Sequence, residues 1–165
     1  MDYPVSRIDC SILCPVPPPH RQLSTVRERL ALVCRSLRGY RYYYCLDKGD
    51  VCAYLFLKHN FLGHYSFMRR SDMLINPYKT LPAYRKQGYA AALLRAATSD
   101  AAANGIKIYA VVTSDNLASQ KALERNGYSR IGYAVHSVGK FGKSRLVFTE
   151  TETRLLLYAS LPVNA

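Results

Sequence analysis

No run of apolar residues in this chain approaches the ~20 needed to cross a bilayer as a helix, so no membrane span is expected. The opening MDYPVSRIDC lacks the sustained apolar core of a secretory signal, and the expectation is a cytoplasmic protein with no membrane partner. Cys10, Cys14, Cys34, Cys45 and Cys52 are odd in number and contain no C-x-x-C pair. That spacing argues for reduced thiols, mostly small core residues. Cys10 and Cys14 could form half of a metal site, but no second pair completes it, and no metal is expected. H-E-x-x-H and G-x-S-x-G are also missing, which leaves metalloprotease and serine-hydrolase chemistry without support. Acidic residues are scarce, 11 against 23 Lys and Arg, giving a net charge of +12. Such an excess attracts anions of many kinds. Here it is scattered (Arg27–Arg29, Arg69–Arg70, Arg85–Lys86, Lys140–Lys143–Arg145) without the stripe or module of a nucleic-acid binder. A solvated basic surface explains it at least as well, and nucleic acid is not an expected partner.

What is present suits a single domain covering residues 1–165, since 165 residues leave little room for two and 49% are apolar. PVPPPH at 15–20 reads as a stiff connector. Thr25-x-x-Glu28 is a capping box opening a helix, with Val26, Leu30, Val33 and Leu37 on one face and Gly39 after its end. YRYYYCL (40–46) and VCAYLFL (51–57) flank Asp47-Lys48-Gly49-Asp50 and predict an antiparallel hairpin. His64–Arg69 and Asp72–Leu81 read as further extended segments. The Ala- and Leu-rich stretch 88–103 predicts a helix stopped by Asn104-Gly105, and IKIYAVV (106–112) predicts a buried strand. A second helix is expected over Leu117–Arg125, capped by Asp115 or Asn116. Tyr128–Val138 and Arg145–Tyr158 then read as two long strands joined by a basic turn, GKFGK. The order predicts an α/β domain with a mixed sheet.

The chemistry concentrates in TLPAYRKQGYAAALL (80–94). An extended segment ends at Leu81-Pro82, a short basic loop carries one glycine, and a helix begins at once. Such a loop aims backbone N–H groups and the positive end of a helix dipole at one point, where a phosphate or pyrophosphate is the natural occupant. Gly88 permits close approach, Ala90 and Ala91 keep the way clear, and Arg85 and Lys86 add charge. Any strand–turn–helix also needs a glycine, so spacing alone leaves anion binding and plain turn geometry both open. GKFGKS (139–144) ends like a nucleotide-binding P-loop, but that motif needs glycine where this chain has Ser137.

Arg85-x-x-Gly88-x-Ala90 resembles the (Q/R)xxGx(G/A) motif of the GNAT superfamily of acetyl-CoA-dependent acetyltransferases, with Lys86 where a glycine is commoner. The similarity runs on through helix, Gly105, strand and Asn116 to NLASQKALERNGY (116–128), which is similar to the family's second signature. Two motifs in the right order are far more specific than either alone. The resemblance implies a mostly antiparallel sheet that splays between the strand ending near Leu81 and the strand 106–112. It further implies a cofactor-binding region over 72–128. In it, pantetheine pairs with backbone near Thr80 and Leu81, and the pyrophosphate sits on amides of Lys86, Gln87, Gly88, Tyr89, Ala90 and Ala91. Asn116 and Ser119 would contact the cofactor arm; Asn116 could cap the helix at the same time, and a plain surface serine explains Ser119 equally well.

One departure stands out. Many family members place a tyrosine, the acid that protonates the leaving thiolate, where this chain has Leu123. Tyr128, Tyr133 and Tyr78 are replacements without a specific signal. A base of near-neutral pKa would help the amine attack, and His64 is the candidate, with Asp72 and His136 as alternatives. The resulting expectation is transfer of acetyl from acetyl-CoA to a primary amine, first a small-molecule or amino-sugar acceptor. A protein N-terminus or lysine is the alternative acceptor, and a non-catalytic CoA-binding module with a basic partner surface is the alternative role. The long C-terminal strands could also pair two copies into a homodimer.

Overall fold

The computed structural model describes residues 3–21, 23–37, 39–60, 63–138 and 144–160. The elements are β1 (Val5–Cys10), α1 (Pro18–Arg21), α2 (Val26–Ser36), β2 (Tyr40–Asp47), β3 (Asp50–His59) and β4 (Met73–Thr80). They continue as α3 (Tyr89–Ala102), β5 (Ile108–Thr113), α4 (Leu117–Arg125), β6 (Tyr128–Val138), β7 (Ser144–Thr149) and β8 (Leu155–Ser160). This is a mixed α/β architecture whose 8-stranded sheet runs β1-β2-β3-β4-β5-β8-β6-β7. Among the ladders of the described residues only β4–β5 is parallel, and it holds just Met73↔Ile108, Leu74↔Tyr109 and Ile75↔Ala110. Strand residues 76–80 and 111–113 lie beyond that ladder.

The chain divides into two compact units, one of Met1–His59 with Asn76–Ala97, the other of Asn60–Ile75 with Thr98–Ala165. In the first, β1, β2 and β3 form an antiparallel meander, with Val5 opposite Cys45 and Tyr43 opposite Leu55. One face buries Cys10, Val16, Leu32, Tyr40, Tyr42, Tyr54 and Phe56 together. Burying each such large side chain stabilises the fold by roughly 1.5–3 kcal/mol. His20 is also buried here, its ring edge-on to Tyr54 at 4.8 Å and Phe56 at 4.9 Å. Loss of water around it lowers its pKa, and its Nδ1 has no hydrogen-bond partner among the described residues. Cys10, Cys45 and Cys52 are buried in this unit, Cys14 is half-buried and Cys34 is exposed, all as thiols.

In the second unit Met68, Leu74, Tyr109, Leu157 and Ala159 form the core. Strand β6 pairs β8 through Tyr128–Ala134 and β7 through Tyr133–Val138, with a register shift between Arg130 and Gly132. At Gly132 φ is +154°, and a Cβ there would lie 2.5 Å from the Phe148 ring.

Several expectations need correction. The capping box forms, with the Thr25 amide donating to Glu28 at 2.8 Å and the Glu28 amide to Thr25 Oγ1 at 3.3 Å. The apolar stripe it introduces, however, faces outward: Val26 is 72% and Leu30 64% exposed, and the helix packs instead through Leu32 and Ser36. Periodicity marks an apolar face without saying what lies against it. PVPPPH is not only a connector, since Pro18 opens α1, a position where its missing N–H costs nothing. The expected strand 145–158 is two strands, broken at 150–154, and the second crosses to the opposite edge of β6. Strand β1 is an addition to the sequence reading. His64–Arg69 is not a strand: the Asn60 side chain donates to the carbonyls of Tyr65 (2.7 Å) and Met68 (3.3 Å) and accepts the Tyr65 amide at 3.0 Å. Those bonds fold the segment into turns and take the backbone groups a ladder would use. The basic turn expected at 139–143 lies outside the described residues.

Candidate cofactor loop and acceptor cleft

The loop after β4 is built from opposing preferences. Pro82 opens a single 3-10 turn, Pro82–Tyr84, closed by Tyr84 N–H to Leu81 O at 2.9 Å and Arg85 N–H to Pro82 O at 3.3 Å. Arg85 then returns to extended geometry (φ −70°, ψ 157°), Lys86 turns left-handed at φ +62° and Gly88 follows at φ +93°. For a lysine that conformation costs about 1–2 kcal/mol, so the surroundings must impose it. Helix α3 starts at Tyr89, and its first bond runs from the Ala92 N–H to the Gly88 carbonyl. The amides of Tyr89, Ala90 and Ala91 precede that bond and have no intrahelical acceptor. Among the described residues, no backbone acceptor meets the amides of Lys86, Gln87 or Gly88 either. No acidic residue occupies the first turn of α3 to offset its positive end. Arg85, Lys86, Gln87 and Gly88 are exposed, so cations and unpaired donors share one open surface. That donor set fits a phosphate or pyrophosphate.

Leu81 is different. Its N–H donates to the Cys52 carbonyl at 2.9 Å and its own carbonyl accepts Tyr84, so it has no spare backbone N–H for a ligand. Cys52 can serve because it is the extra residue of a bulge: Cys45 pairs with Ala53 and Leu46 with Val51. At the other end of β4, the Met73 N–H goes to Lys107 O. Met73 and Leu81 are an even number of residues apart, yet their amides serve neighbours on opposite edges. The pleat therefore changes phase along β4.

In the other unit, Asn116 caps α4 by accepting the Ser119 amide at 3.2 Å, so the cap is Asn116 rather than Asp115. Asn116 is exposed and Ser119 half-buried. Leu123 is a core residue, 2% exposed, and so stands where no proton could be relayed. Next to it, Glu124 accepts the Tyr158 hydroxyl at 3.0 Å. Tyr128 is also buried, its hydroxyl 2.8 Å from Thr98 Oγ1, and desolvation pushes its pKa up to about 12. Tyr133 lies beneath Arg130, 5.6 Å from its ring centre, and Tyr78 is half-buried.

Among the proposed bases, Asp72 is buried and accepts the Arg69 amide at 2.8 Å, closing a turn. His64 is half-buried in the Asn60-stapled turns, edge-on to Tyr65 at 4.7 Å, and its carbonyl accepts the Leu146 amide at 2.8 Å. His136 lines a cleft of about 480 Å³ together with Thr113, Val135, Thr153, Arg154 and Leu155. At its edge Arg154 pairs with Asp115 at 3.3 Å. A hydrogen bond from Thr113, then one from its own backbone amide and then that arginine, hold the Asp115 carboxyl below its ordinary range. The sequence reading missed Arg154 and both threonines, because β5 and the segment before β8 supply them separately and no local motif joins them. A smaller cavity of about 250 Å³ lies beside the loop, lined by Pro19, Leu23, Asp50, Val51, Leu81 and Tyr84.

The sequence profile of the acetyltransferase (GNAT) family matches residues 11–128. The chain belongs to the GNAT family. It is an enzyme of the acetyl-CoA-dependent N-acetyltransferase class. No curated protein matches this GNAT sequence. Solved structures share its fold. The ribosomal-protein-S18-alanine N-acetyltransferase of Escherichia coli superposes with a TM-score of 0.64 at 12% identity, covering 98% of this chain and 96% of that one. The IAA acetyltransferase of Bacillus cereus gives 0.60 at 14% identity, covering 95% and 99%. A ribosomal-protein-alanine N-acetyltransferase from Brucella melitensis gives 0.59 at 21% identity, covering 84% and 80%. At these identities the likeness speaks for the fold of this GNAT chain and leaves its acceptor open. No helix among the described residues is long and apolar enough to cross a membrane.

Proposed function

We propose that residues 1–165 act as one cytoplasmic acetyltransferase domain, its cofactor region over 72–128, that acetylates a primary amine on a small molecule. The observation that carries this reading is the loop Arg85–Ala91, whose unpaired amides, left-handed Lys86 and Gly88 and exposed cations together suit a pyrophosphate. Bound acetyl-CoA supplies the activated acetyl group. Thr80 offers backbone, and Arg85, Lys86, Gln87, Gly88, Tyr89, Ala90 and Ala91 hold the phosphates. Asn116 and Ser119 steady the arm, while Leu81 contributes packing only.

The acceptor amine must be neutral when its nitrogen attacks the thioester carbonyl. The C–N bond forms as the C–S bond breaks, and the amine proton ends on the departing thiolate, directly or through a base. Positioning supplies much of the rate. His136 is favoured as base over His64 because it lines a cleft, whose size falls within the few hundred Å³ usual for small-molecule sites. Arg154 on the same cleft favours an acceptor with an anionic group, such as a nucleotide-linked amino sugar.

Acetyl-CoA turnover, read as thiol release, tests this across nucleotide-linked amino sugars, neutral amines, lysine and short peptides. The expected result is preferential turnover of anionic amino sugars. Arg154→Gln should raise their KM about tenfold while leaving kcat within about twofold. His136→Ala is expected to lower kcat and flatten its pH profile, and His64→Ala to leave both unchanged. Turnover confined to peptides would move the acceptor to a protein N-terminus or lysine; the Escherichia coli and Brucella structures are named as ribosomal-protein-alanine N-acetyltransferases. CoA binding with no turnover would mark a non-catalytic module. Salt-dependent DNA binding without CoA binding would overturn the reading altogether.

A further inference from the structure

We propose that Tyr3, near the start of the chain, is a positioning residue that holds the cofactor loop in its phosphate-binding shape. The proposal rests on the reading of that loop as the acetyl-CoA site. Strand β1 carries Tyr3 there: β1 runs antiparallel to β2 with Val5 opposite Cys45, so Tyr3 falls just beyond the ladder, toward the hairpin turn that follows Asp47. Its ring packs against the loop. A Cβ on Gly88 would meet Tyr3 Cε2 at 3.4 Å, and the Tyr3 and Tyr89 ring centres are 4.2 Å apart with planes tilted by 40°. Tyr89 in turn meets Tyr84 edge-on at 6.1 Å. The rings thus run from Tyr84 in the 3-10 turn to Tyr89, the first residue of α3, and Tyr3 closes the series from outside.

The loop has little else to fix it. No residue from Pro82 to Gly88 is buried, and the described hydrogen bonds inside it are the two of the 3-10 turn and Gln87 Nε2 to Ala83 O at 3.3 Å. This follows from its task, because amides that must stay open to an anion cannot be tied to backbone acceptors. Rigidity has to come from side chains packed on the face away from the ligand, and a ring against a glycine Cα packs more closely than it could against any larger residue. Tyr89 is 6% exposed, so it transmits that packing to the helix start. Order imposed before binding raises affinity by reducing what binding must fix.

Calorimetric binding of CoA and of adenosine 3′,5′-bisphosphate to the full chain tests the proposal with Tyr3→Ala, Tyr3→Phe and Tyr3→Leu. Tyr3→Ala is expected to weaken both ligands about tenfold, the scale of one lost aromatic contact plus loop ordering. Tyr3→Phe should bind like the wild type, since the ring rather than the hydroxyl makes the contacts. Tyr3→Leu, which keeps apolar bulk and guards against simple unfolding, should fall between them. The acceptor KM should not move in any of the variants. Wild-type affinity in Tyr3→Ala, or equal losses in Tyr3→Phe and Tyr3→Ala, would overturn the role of Tyr3 and leave the loop reading standing. Failure of the wild type to bind CoA would overturn both.

Discussion

Gly88→Val is expected to weaken CoA binding about a hundredfold, the scale of losing one or two hydrogen bonds to a charged phosphate, about 1.5–3 kcal/mol each. Valine is β-branched and resists φ near +93°, and its first side-chain atom would already stand 3.4 Å from the Tyr3 ring. The loop can escape only by turning back toward negative φ, which re-aims the amides of Gly88 and Tyr89. Lys86 makes this harder to absorb, because its own left-handed φ of +62° already loads the same short segment. Isothermal calorimetry with CoA reads the effect, and a melting curve checks that the domain still folds. Affinity within a factor of about three of the wild type would mean that these amides do not hold the phosphates.

Gly132→Val is expected to cost about 2–3 kcal/mol of stability, the usual range for forcing atoms into a filled site. At φ +154° the backbone of Gly132 is already hard for a side chain, and the new Cβ would stand 2.5 Å from Phe148 Cε2 and 3.3 Å from the Thr149 carbonyl. The ring can swing aside, being 39% exposed, but the carbonyl belongs to the β6–β7 ladder and cannot. Thermal melting should fall by roughly 5–10 °C for a chain of this size. Adding Phe148→Ala should recover part of that loss. Full recovery would assign the whole cost to the ring, and an unchanged melt in the single variant would show that the bulge tolerates a side chain.

The most legible parts of the chain were those where several signals agree. Helix α3, strand β5 and helix α4 combine strong propensity with explicit stops at Gly105 and Gly127, and their boundaries fall within a residue or two of expectation. The cofactor loop was legible for the same reason, since Pro82, Gly88 and the start of α3 each narrow the geometry. What stayed hidden depends on long-range partners. Strand β1 is half exposed along its length, so its residues carry no clean alternation. The turns around His64 come from one side chain, Asn60, satisfying backbone groups several residues ahead, which no periodicity announces. The outward stripe of α2 shows the same limit: Thr25 and Glu28 determine where the helix starts, while which face is covered depends on the strands it meets. In the cleft beside His136, Arg154 and the threonines are ordinary surface residues until β8 crosses to the far edge of β6.

The burial of the cysteines sets the background of any assay that follows released CoA with a thiol-specific dye. Burial pushes the thiols of Cys10 and Cys45 up to about 11, so near pH 8 only about a thousandth of these two is the reactive thiolate, and burial raises the Cys52 thiol as well. Cys34, exposed on α2, and half-buried Cys14 remain open to the reagent. The native enzyme should therefore show an early burst of one to two dye equivalents before turnover is visible, against all 5 in denaturant. Replacing Cys34 with serine should remove most of that burst, and a burst of more than about two would mean that the inner thiols are not sealed.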